Sequence, residues 1–300
     1  MQKSVLGSTG LEVTRLGMGL AEIGELRLAD SSELSQLLNA ALDAGINFLD
    51  TAACYGISEE MIGRTIPHRR SEYILATKCG HVPGSYPGEA WSAQTITDSI
   101  DRSLILMKTD YLDLVQLHSC GLGILEKGEA TDALKRAKEA GKTRFVGYSG
   151  DNDDALWAVN SGLFDTLQTS FNLVDQHART KLFGIAKARE MGIIIKRPIA
   201  NGVWGAEHNP SSYEQEYFQR ARLMAQSGTI HGAPNDRIML ALGFVLAHIE
   251  VDTAIVGTRN LGHLRANSLM VDSGNYLSPD AVGELVRRFE ELGEGWVQLY

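Results

Sequence analysis

Four polar side chains stand at or shortly after the ends of short apolar runs of the sequence. Asp50 ends "INFLD", Lys78 ends "YILATK" and His118 ends "DLVQLH", while Tyr55 lies in the loop that follows Asp50. A carboxylate at a buried strand end is costly unless a cation neutralises it. We therefore expect Asp50 and Lys78 to form a buried ion pair.

The same residue types suggest proton transfer to a substrate oxygen. A cation beside Tyr55 favours the phenolate, so we expect Lys78 to lower the pKa of Tyr55 from about 10 towards neutrality. Tyr55 then serves as a proton donor, and His118 orients a carbonyl oxygen. One histidine and one aspartate are too few for a zinc site, and no serine lies in a GxSxG elbow. A proton donor without a nucleophile favours carbonyl reduction by hydride from a cofactor.

Each of these four residues has an ordinary interpretation when it is taken alone. A lone aspartate often caps a turn, a lone lysine is a surface charge, and tyrosine and histidine are frequent half-buried residues. Their shared position at successive strand ends is harder to explain in that way. Alternation along the strands also places Gln116 on the same face as His118.

The elements that must position these residues alternate between strands and helices. Runs as apolar as these are typical of parallel strands covered on both sides. The eight candidate strands are "TRLGMGL", "INFL", "YILATK", "DLVQLH", "TRFVGYS", "DTLQTSF", "GIIIK" and "DTAIVG". Amphipathic stretches with a period of 3.6 residues separate them. They begin near Leu34, Ile96, Ala130, Leu182, Ile238 and Val282.

Eight strand–helix units predict an α/β fold, a (β/α)8 (TIM) barrel formed as one domain by residues 1–300. An N-terminal β-hairpin turning at 8–10 is expected to close the barrel bottom. A long loop after strand 7, at 200–234, carries a helical piece near 212–226. A doubly wound open sheet is the alternative, but Gly17, Gly19 and Gly24 lack the GxGxxG spacing.

Local signals predict where several helices begin and end. Asp30 or Ser31 is expected to cap the first helix, and Gly45 to end it. Ser278 and Pro279 mark the start of the last helix.

Composition excludes several classes of function. The 300-residue chain has a net charge of −9 and a pI near 5.4, which argues against nucleic-acid binding. No run of about 18 apolar residues predicts a membrane span, and the N-terminus lacks a signal-peptide core. Three cysteines without a CxxC motif favour reduced thiols in a cytoplasmic protein.

The segments "DTAACYG", "ILATK" and "DLVQLH" resemble the catalytic segments of the aldo-keto reductases, in the same order and over nearly the whole chain. The resemblance implies a (β/α)8 barrel that uses NADPH to reduce an aldehyde or ketone. It also implies that Asp50, Tyr55, Lys78 and His118 form the catalytic tetrad, with Tyr55 as general acid.

The resemblance further implies contacts to the nicotinamide end of the cofactor. Ser149 and Gln168 match the carboxamide contacts, whereas Gly150 replaces the usual asparagine and leaves Asn152 as its substitute. Lys196 lies near the position of a stacking aromatic, so Arg197 is the candidate to stack on the ring. Backbone around three residues would contact the pyrophosphate: Ile199, Asn201 and Gly202.

The segment "GTRNLGHLRAN" resembles the part of the family that binds the adenosine phosphate. Gly257, Thr258 and Arg259 lie where a helix begins, and Arg259 would grip a 2′-phosphate. Asn267 matches the adenine-side asparagine. His263 replaces a common arginine and Ala266 a common glutamate, so NADPH is expected while NADH stays possible.

The partner predicted from the sequence is a small-molecule carbonyl compound. Tyr86, Trp91 and Trp204 are candidate walls for an apolar or sugar-like substrate. Two alternatives stay open, a nicotinamide-binding sensor or accessory subunit with little turnover, and a metal-dependent barrel hydrolase or lyase. The sequence determines neither the substrate nor the oligomeric state.

Overall fold

Eight parallel strands close into a barrel in the part of the chain that the structure describes. This computed structural model describes residues 1–25, 31–82, 86–209, 215–274 and 276–299. Each barrel strand pairs with the next along the chain, and the last pairs with the first. The strands are β3 (Leu16–Gly19), β4 (Phe48–Asp50), β5 (Ile74–Cys79), β6 (Leu112–His118), β7 (Thr143–Ser149), β8 (Thr166–Ser170), β9 (Gly192–Lys196) and β10 (Thr253–Val256). All eight predicted strands and the closed barrel are confirmed.

Helices cover the outside of the barrel. The six predicted apolar stripes lie in α1 (Ser31–Asp43), α3 (Ala93–Met107), α5 (Glu129–Glu139), α7 (Gly184–Ala188) with the π-helical turn before it (Arg179–Phe183), α9 (Arg237–Leu246) and α11 (Pro279–Leu292). The other described helices are α2 (Ser58–Thr65), α4 (Leu122–Leu125), α6 (Asn152–Ser161), α8 (Gln215–Gln226) and α10 (Leu261–Ser273). Sequence periodicity missed α2 and α6 because they are short and carry few large apolar residues.

Helix boundaries follow the expected local chemistry. The Ser278 hydroxyl accepts a hydrogen bond from the Ala281 N–H, and Pro279 occupies the first turn of α11. Gly45 has φ +82° just beyond α1, a conformation that favours glycine. Asp30 and the side chain of Ser31, predicted to cap α1, lie outside the described residues.

The N-terminal hairpin closes the barrel at the end where the strands begin. Strands β1 (Lys3–Val5) and β2 (Glu12–Thr14) pair antiparallel. Leu6 and Val13 are fully buried and pack with Phe48, Leu114 and Ile194 inside the barrel. The predicted N-terminal hairpin is confirmed, and its apolar side chains leave the opposite end of the barrel for polar ones.

The long connection after β9 crosses that opposite end. It contains a 3-10 turn (Ala200–Gly202) and then α8, which begins at Gln215. The predicted helical piece near 212–226 is confirmed from Gln215 onwards, while 212–214 lie outside the described residues. No helix within the described ranges is long and apolar enough to cross a bilayer.

Two glycines bring the loops around Tyr55 into close contact. A Cβ atom at Gly24 would overlap the carbonyl group of Tyr55, and one at Gly56 would overlap the carbonyl of Gly24. Gly56 also has φ +45°, which glycine adopts readily. This backbone contact fixes the loop that carries Tyr55 above the end of β4.

Candidate active site

The Asp50 and Lys78 side chains form a buried ion pair at the ends of β4 and β5. The distance from Lys78 Nζ to Asp50 Oδ2 is 2.5 Å, and the ammonium also donates to the Thr51 carbonyl oxygen at 2.9 Å. Each residue is at most 2% exposed. Burial alone would lower the pKa of Lys78, but Asp50 and Tyr55 outweigh that effect and raise it. Lys78 is therefore a protonated cation.

The second oxygen of Asp50 is held by two amides. Gln116 Nε2 donates to Asp50 Oδ1 at 3.2 Å, and Gln168 Nε2 donates to it at 2.9 Å. Gln116 lies on β6, in the interior-facing position that alternation predicts, but sequence reasoning gave it no role. The signal was a glutamine inside the apolar run "DLVQLH". These bonds compensate the desolvation of the carboxylate.

Tyr55 and His118 lie above this ion pair. Lys78 Nζ is 4.9 Å from the centre of the Tyr55 ring. The Tyr55 and His118 rings meet edge to face, with their centroids 5.5 Å apart. The structure therefore gathers all four predicted side chains at one end of the barrel, around a half-buried phenol and a half-buried imidazole.

The predicted direction of the Tyr55 pKa shift is wrong for this structure. Burial raises the pKa of Tyr55 above its ordinary value of 10.0, and the lowering effect of Lys78 is smaller. The sequence shows the neighbouring cation but not the desolvation of the phenolate, which is the larger effect in the folded chain. Tyr55 is therefore a protonated phenol at neutral pH, which is the form that donates a proton.

His118 is held in its neutral form. Burial, Lys78, His81 and Lys196 all keep the pKa of His118 well below its usual value. The His81 ring lies edge-on to it, with the centroids 4.9 Å apart. A neutral imidazole carries one donor and one acceptor nitrogen, so it can direct a single N–H at a carbonyl oxygen.

Two residues predicted to contact the nicotinamide lie directly beside this cluster. The Ser149 hydroxyl donates to Gln168 Oε1 at 2.9 Å, and both residues are 1% exposed. Asn152 faces a different partner, since its amide donates to the backbone oxygen of Gln298 at 3.4 Å. The C-terminal segment therefore holds the side chain expected to replace the usual asparagine.

A second ion pair lies at the same end of the barrel. Lys196 Nζ is 2.9 Å from Asp151 Oδ2, and Asp151 also accepts bonds from the backbone N–H of Ser170 and the side chains of Thr169 and Gln298. Burial alone would raise the pKa of Asp151, but Lys196 and these hydrogen bonds outweigh it and lower the pKa. Sequence reasoning missed Asp151, although its charge two residues beyond Ser149 was a visible signal.

The turn after β9 contains the other candidate contacts to a cofactor. Arg197 Nη1 donates to Ser170 Oγ at 3.4 Å. Asn201 and Gly202 have φ values of +55° and +72°, and the Gly202 N–H donates to the Ile199 oxygen at 2.8 Å. That N–H is therefore already paired within the turn.

A groove lies where α10 begins, with a volume of about 550 Å³. The Asn260 side chain caps α10 by accepting bonds from the Gly262 and His263 N–H groups. Arg259 is exposed, Asn267 lies further along the same helix, and Gly257 precedes it. Two glutamates, one arginine and five other residues line the groove: Glu22, Glu33, Arg259, Gln36, Thr258, Asn260, Leu261 and His263.

These residues fit a nicotinamide dinucleotide. Polar groups suited to a carboxamide lie at the ends of β7 and β8, and a groove with an exposed arginine lies after β10. On barrels of this kind, phosphate groups usually bind at the loops after the last strands and at the start of a helix. In the described part of the chain, no group of three or more metal-ligating side chains is arranged to hold a metal ion.

The aromatic candidates for substrate contact occupy different environments. Trp91 is half-buried and lies edge-on to His81, with the centroids 4.8 Å apart. Trp204 is 9% exposed and belongs to the main apolar core. The Tyr86 hydroxyl donates to Asp98. Trp91 is thus the one of the three linked to His118, through His81.

Comparison with known proteins places this geometry in a family. A family model described as the Aldo/keto reductase family matches residues 15–285. L-galactose dehydrogenase from Arabidopsis thaliana is 29% identical over 289 residues, which cover 92% of this chain and 89% of that protein. D-threo-aldose 1-dehydrogenase from Pseudomonas sp is 27% identical and covers 71% of this chain and 74% of its own. The holo form of aldo-keto reductase AKR11C1 from Bacillus halodurans superposes with a TM-score of 0.81 at 25% identity, covering 96% of each chain.

Proposed function

The chain belongs to the aldo/keto reductase family, and from this premise we propose that it reduces an aldehyde or ketone to an alcohol with NADPH. The observation that carries the proposal is the gathering of Tyr55 and His118 over the buried Asp50–Lys78 pair. A nicotinamide-dependent oxidoreductase needs a proton donor at that place and no nucleophile.

In the proposed reaction each of the four side chains has a different role. His118 donates a hydrogen bond to the substrate carbonyl oxygen, and Tyr55 gives its proton to that oxygen as the carbon accepts hydride. Lys78 stabilises the phenolate left behind, and Asp50 keeps Lys78 charged and in place. In the reverse reaction the phenolate takes the proton back from the alcohol. The cofactor, when bound, supplies the hydride.

We propose that the cofactor is held along the ends of β7 to β10. Ser149 and Gln168 match the carboxamide contacts, although the hydrogen bond of Asn152 to the C-terminal segment weakens its own assignment. The remaining proposed contacts are Arg197, Ile199, Asn201, Gly202, Gly257, Thr258, Arg259 and Asn267.

NADPH is proposed over NADH because Arg259 stands at the start of α10, where it can pair with a 2′-phosphate. Glu22 and Glu33 line the same groove and act in the opposite sense, since carboxylates favour an unphosphorylated ribose. NADH therefore stays the second choice of cofactor.

The proposed substrate is a small carbonyl compound, with sugars first among the classes to test. The names of two relatives, L-galactose dehydrogenase and D-threo-aldose 1-dehydrogenase, point to sugars. We further propose that residues 1–300 form one domain. We also propose that the protein acts in the cytoplasm, because its three cysteines are free.

A cofactor-oxidation assay tests this function. Purified protein is first titrated with NADPH and NADH by fluorescence, then supplied with aldoses, aromatic aldehydes, hydroxy-aldehydes and small ketones. We expect NADPH oxidation with at least one class, and a KM for NADPH about tenfold below that for NADH, the size of one charge-assisted contact.

The contrary outcomes are specific. Tight NADPH binding without oxidation across the panel would instead favour a nicotinamide-binding sensor. One observation favours this second function: Lys196, near the position where the family often has a stacking aromatic, is paired with Asp151. Stoichiometric metal in the purified protein would favour a metal-dependent enzyme.

A further inference from the structure

Cys54 contacts the imidazole of the proposed site directly. Its Sγ atom lies 3.4 Å from His118 Nδ1. The thiol is half-buried and precedes Tyr55 in the chain. No hydrogen bond of His118 Nε2 is found within the described residues, so the two ring nitrogens have different surroundings.

The contact has a preferred direction. Burial raises the pKa of Cys54, so the group is a neutral thiol with an S–H to donate. The imidazole is neutral as well, as described above, and an imidazole nitrogen accepts hydrogen bonds better than a thiol sulfur. The favoured arrangement is therefore S–H donating to Nδ1.

This arrangement determines where the ring proton sits. When Nδ1 accepts a hydrogen bond, the single proton of a neutral imidazole must lie on Nε2. The opposite tautomer would place an acceptor, not a donor, towards a carbonyl oxygen and would repel it. Burial and the surrounding cations keep the ring neutral, so it carries only one proton.

We propose that Cys54 is a positioning residue that fixes His118 in its Nε2–H tautomer, ready to donate to a substrate carbonyl. The proposal rests on the proposed carbonyl reduction for its purpose. The tautomer itself is a property of the folded chain and can be measured without any substrate.

The test uses the full-length protein with NADPH and histidine labelled with nitrogen-15. Two-bond nitrogen–proton correlation spectra report the tautomer of each histidine, and His118→Gln identifies the His118 signals among the eight histidines. Cys54→Ala removes the donor and Cys54→Ser retains one. Cys120→Ala is the matched control, because Cys120 is another free, buried thiol and, among the described residues, its sulfur makes no hydrogen bond with His118.

We expect an Nε2–H tautomer in the wild type, in Cys54→Ser and in Cys120→Ala. In Cys54→Ala the Nδ1 signal should move, and kcat should fall about 5- to 10-fold, the size of one lost neutral hydrogen bond, with KM nearly unchanged. Cys54→Ser should recover most of that loss.

Two results would overturn the proposal. One is an Nδ1–H tautomer in the wild type, and the other is a His118 spectrum that does not change in Cys54→Ala. If the wild type reduces no carbonyl at all, the proposed function fails, and the spectra still decide the tautomer.

Discussion

Tyr55→Phe is expected to lower kcat for carbonyl reduction by about 10²- to 10⁴-fold, because a positioned general acid contributes that much. The substitution removes only the hydroxyl and keeps the ring that packs edge-on to His118. Because Tyr55 is not among the proposed cofactor contacts, the affinity for NADPH should change little. Steady-state kinetics and fluorescence titration of the same preparation measure the two quantities.

A matched tyrosine provides the control for this result. Tyr276 lies at the opposite end of the molecule, where its hydroxyl donates to Gln2 Oε1 at 2.9 Å. Tyr276→Phe removes a hydroxyl of the same kind and should leave kcat unchanged. Equal activity of Tyr55→Phe and Tyr276→Phe would remove Tyr55 from the reaction.

Asp50→Asn should have the largest effect on stability. It leaves the Lys78 ammonium buried without its counter-charge, which typically costs about 3–5 kcal/mol of the free energy of unfolding. The amide is nearly isosteric, and its oxygen can still accept from Gln116 and Gln168 while its nitrogen faces Lys78. The loss therefore reports on the missing charge and the missing hydrogen bond to Lys78, and not on packing. Carbonyl reduction should be abolished as well, because Asp50 no longer keeps Lys78 charged and in place.

The pH dependence of this variant distinguishes the cause. Without Asp50, burial lowers the pKa of Lys78 in the folded protein below its unfolded value. The unfolded state then binds more protons, so the stability of the variant should rise with pH until Lys78 titrates in the unfolded chain too. Urea denaturation at several pH values measures this slope.

Two comparisons complete the design. Asp101→Asn breaks the surface ion pair between Asp101 (46% exposed) and Lys142 (31% exposed). It should lower the free energy of unfolding by less than about 1 kcal/mol. The double variant Asp50→Asn with Lys78→Met removes both buried charges and should regain most of the stability but none of the activity. A loss in Asp50→Asn as small as that in Asp101→Asn would contradict the buried-pair account.

The architecture was predictable because each element carries its own signal. The run "GIIIK" cannot be solvent-exposed, and "YILATK" places a lysine at the carboxyl end of an apolar strand, where barrels carry polar sites. The turn residues at 8–10 identified the N-terminal hairpin. By contrast α6, "NDDALWAVNS", has too weak an apolar stripe to be detected.

The candidate site was predictable only for residues at strand ends. Asp50 and Lys78 carry opposite charges at successive strand ends, so their pairing followed from the fold. The sign of the Tyr55 pKa shift did not, because it depends on how much water reaches the phenol. Gln298 was also unpredictable, since only the folded chain brings residue 298 to Asp151.

The pH dependence of kcat/KM for carbonyl reduction tests the protonation states proposed for Tyr55 and His118, because it reports the ionisations of the free enzyme. Carbonyl reduction at this site requires a protonated Tyr55 and a neutral His118, and burial raises the pKa of Tyr55 and lowers that of His118. We predict a flat profile from about pH 6.5 to about pH 9, then a fall as the phenol loses its proton above about pH 10. A loss of activity with its midpoint between about pH 6.5 and 8 would contradict these protonation states, provided that the free energy of unfolding does not change over the same range.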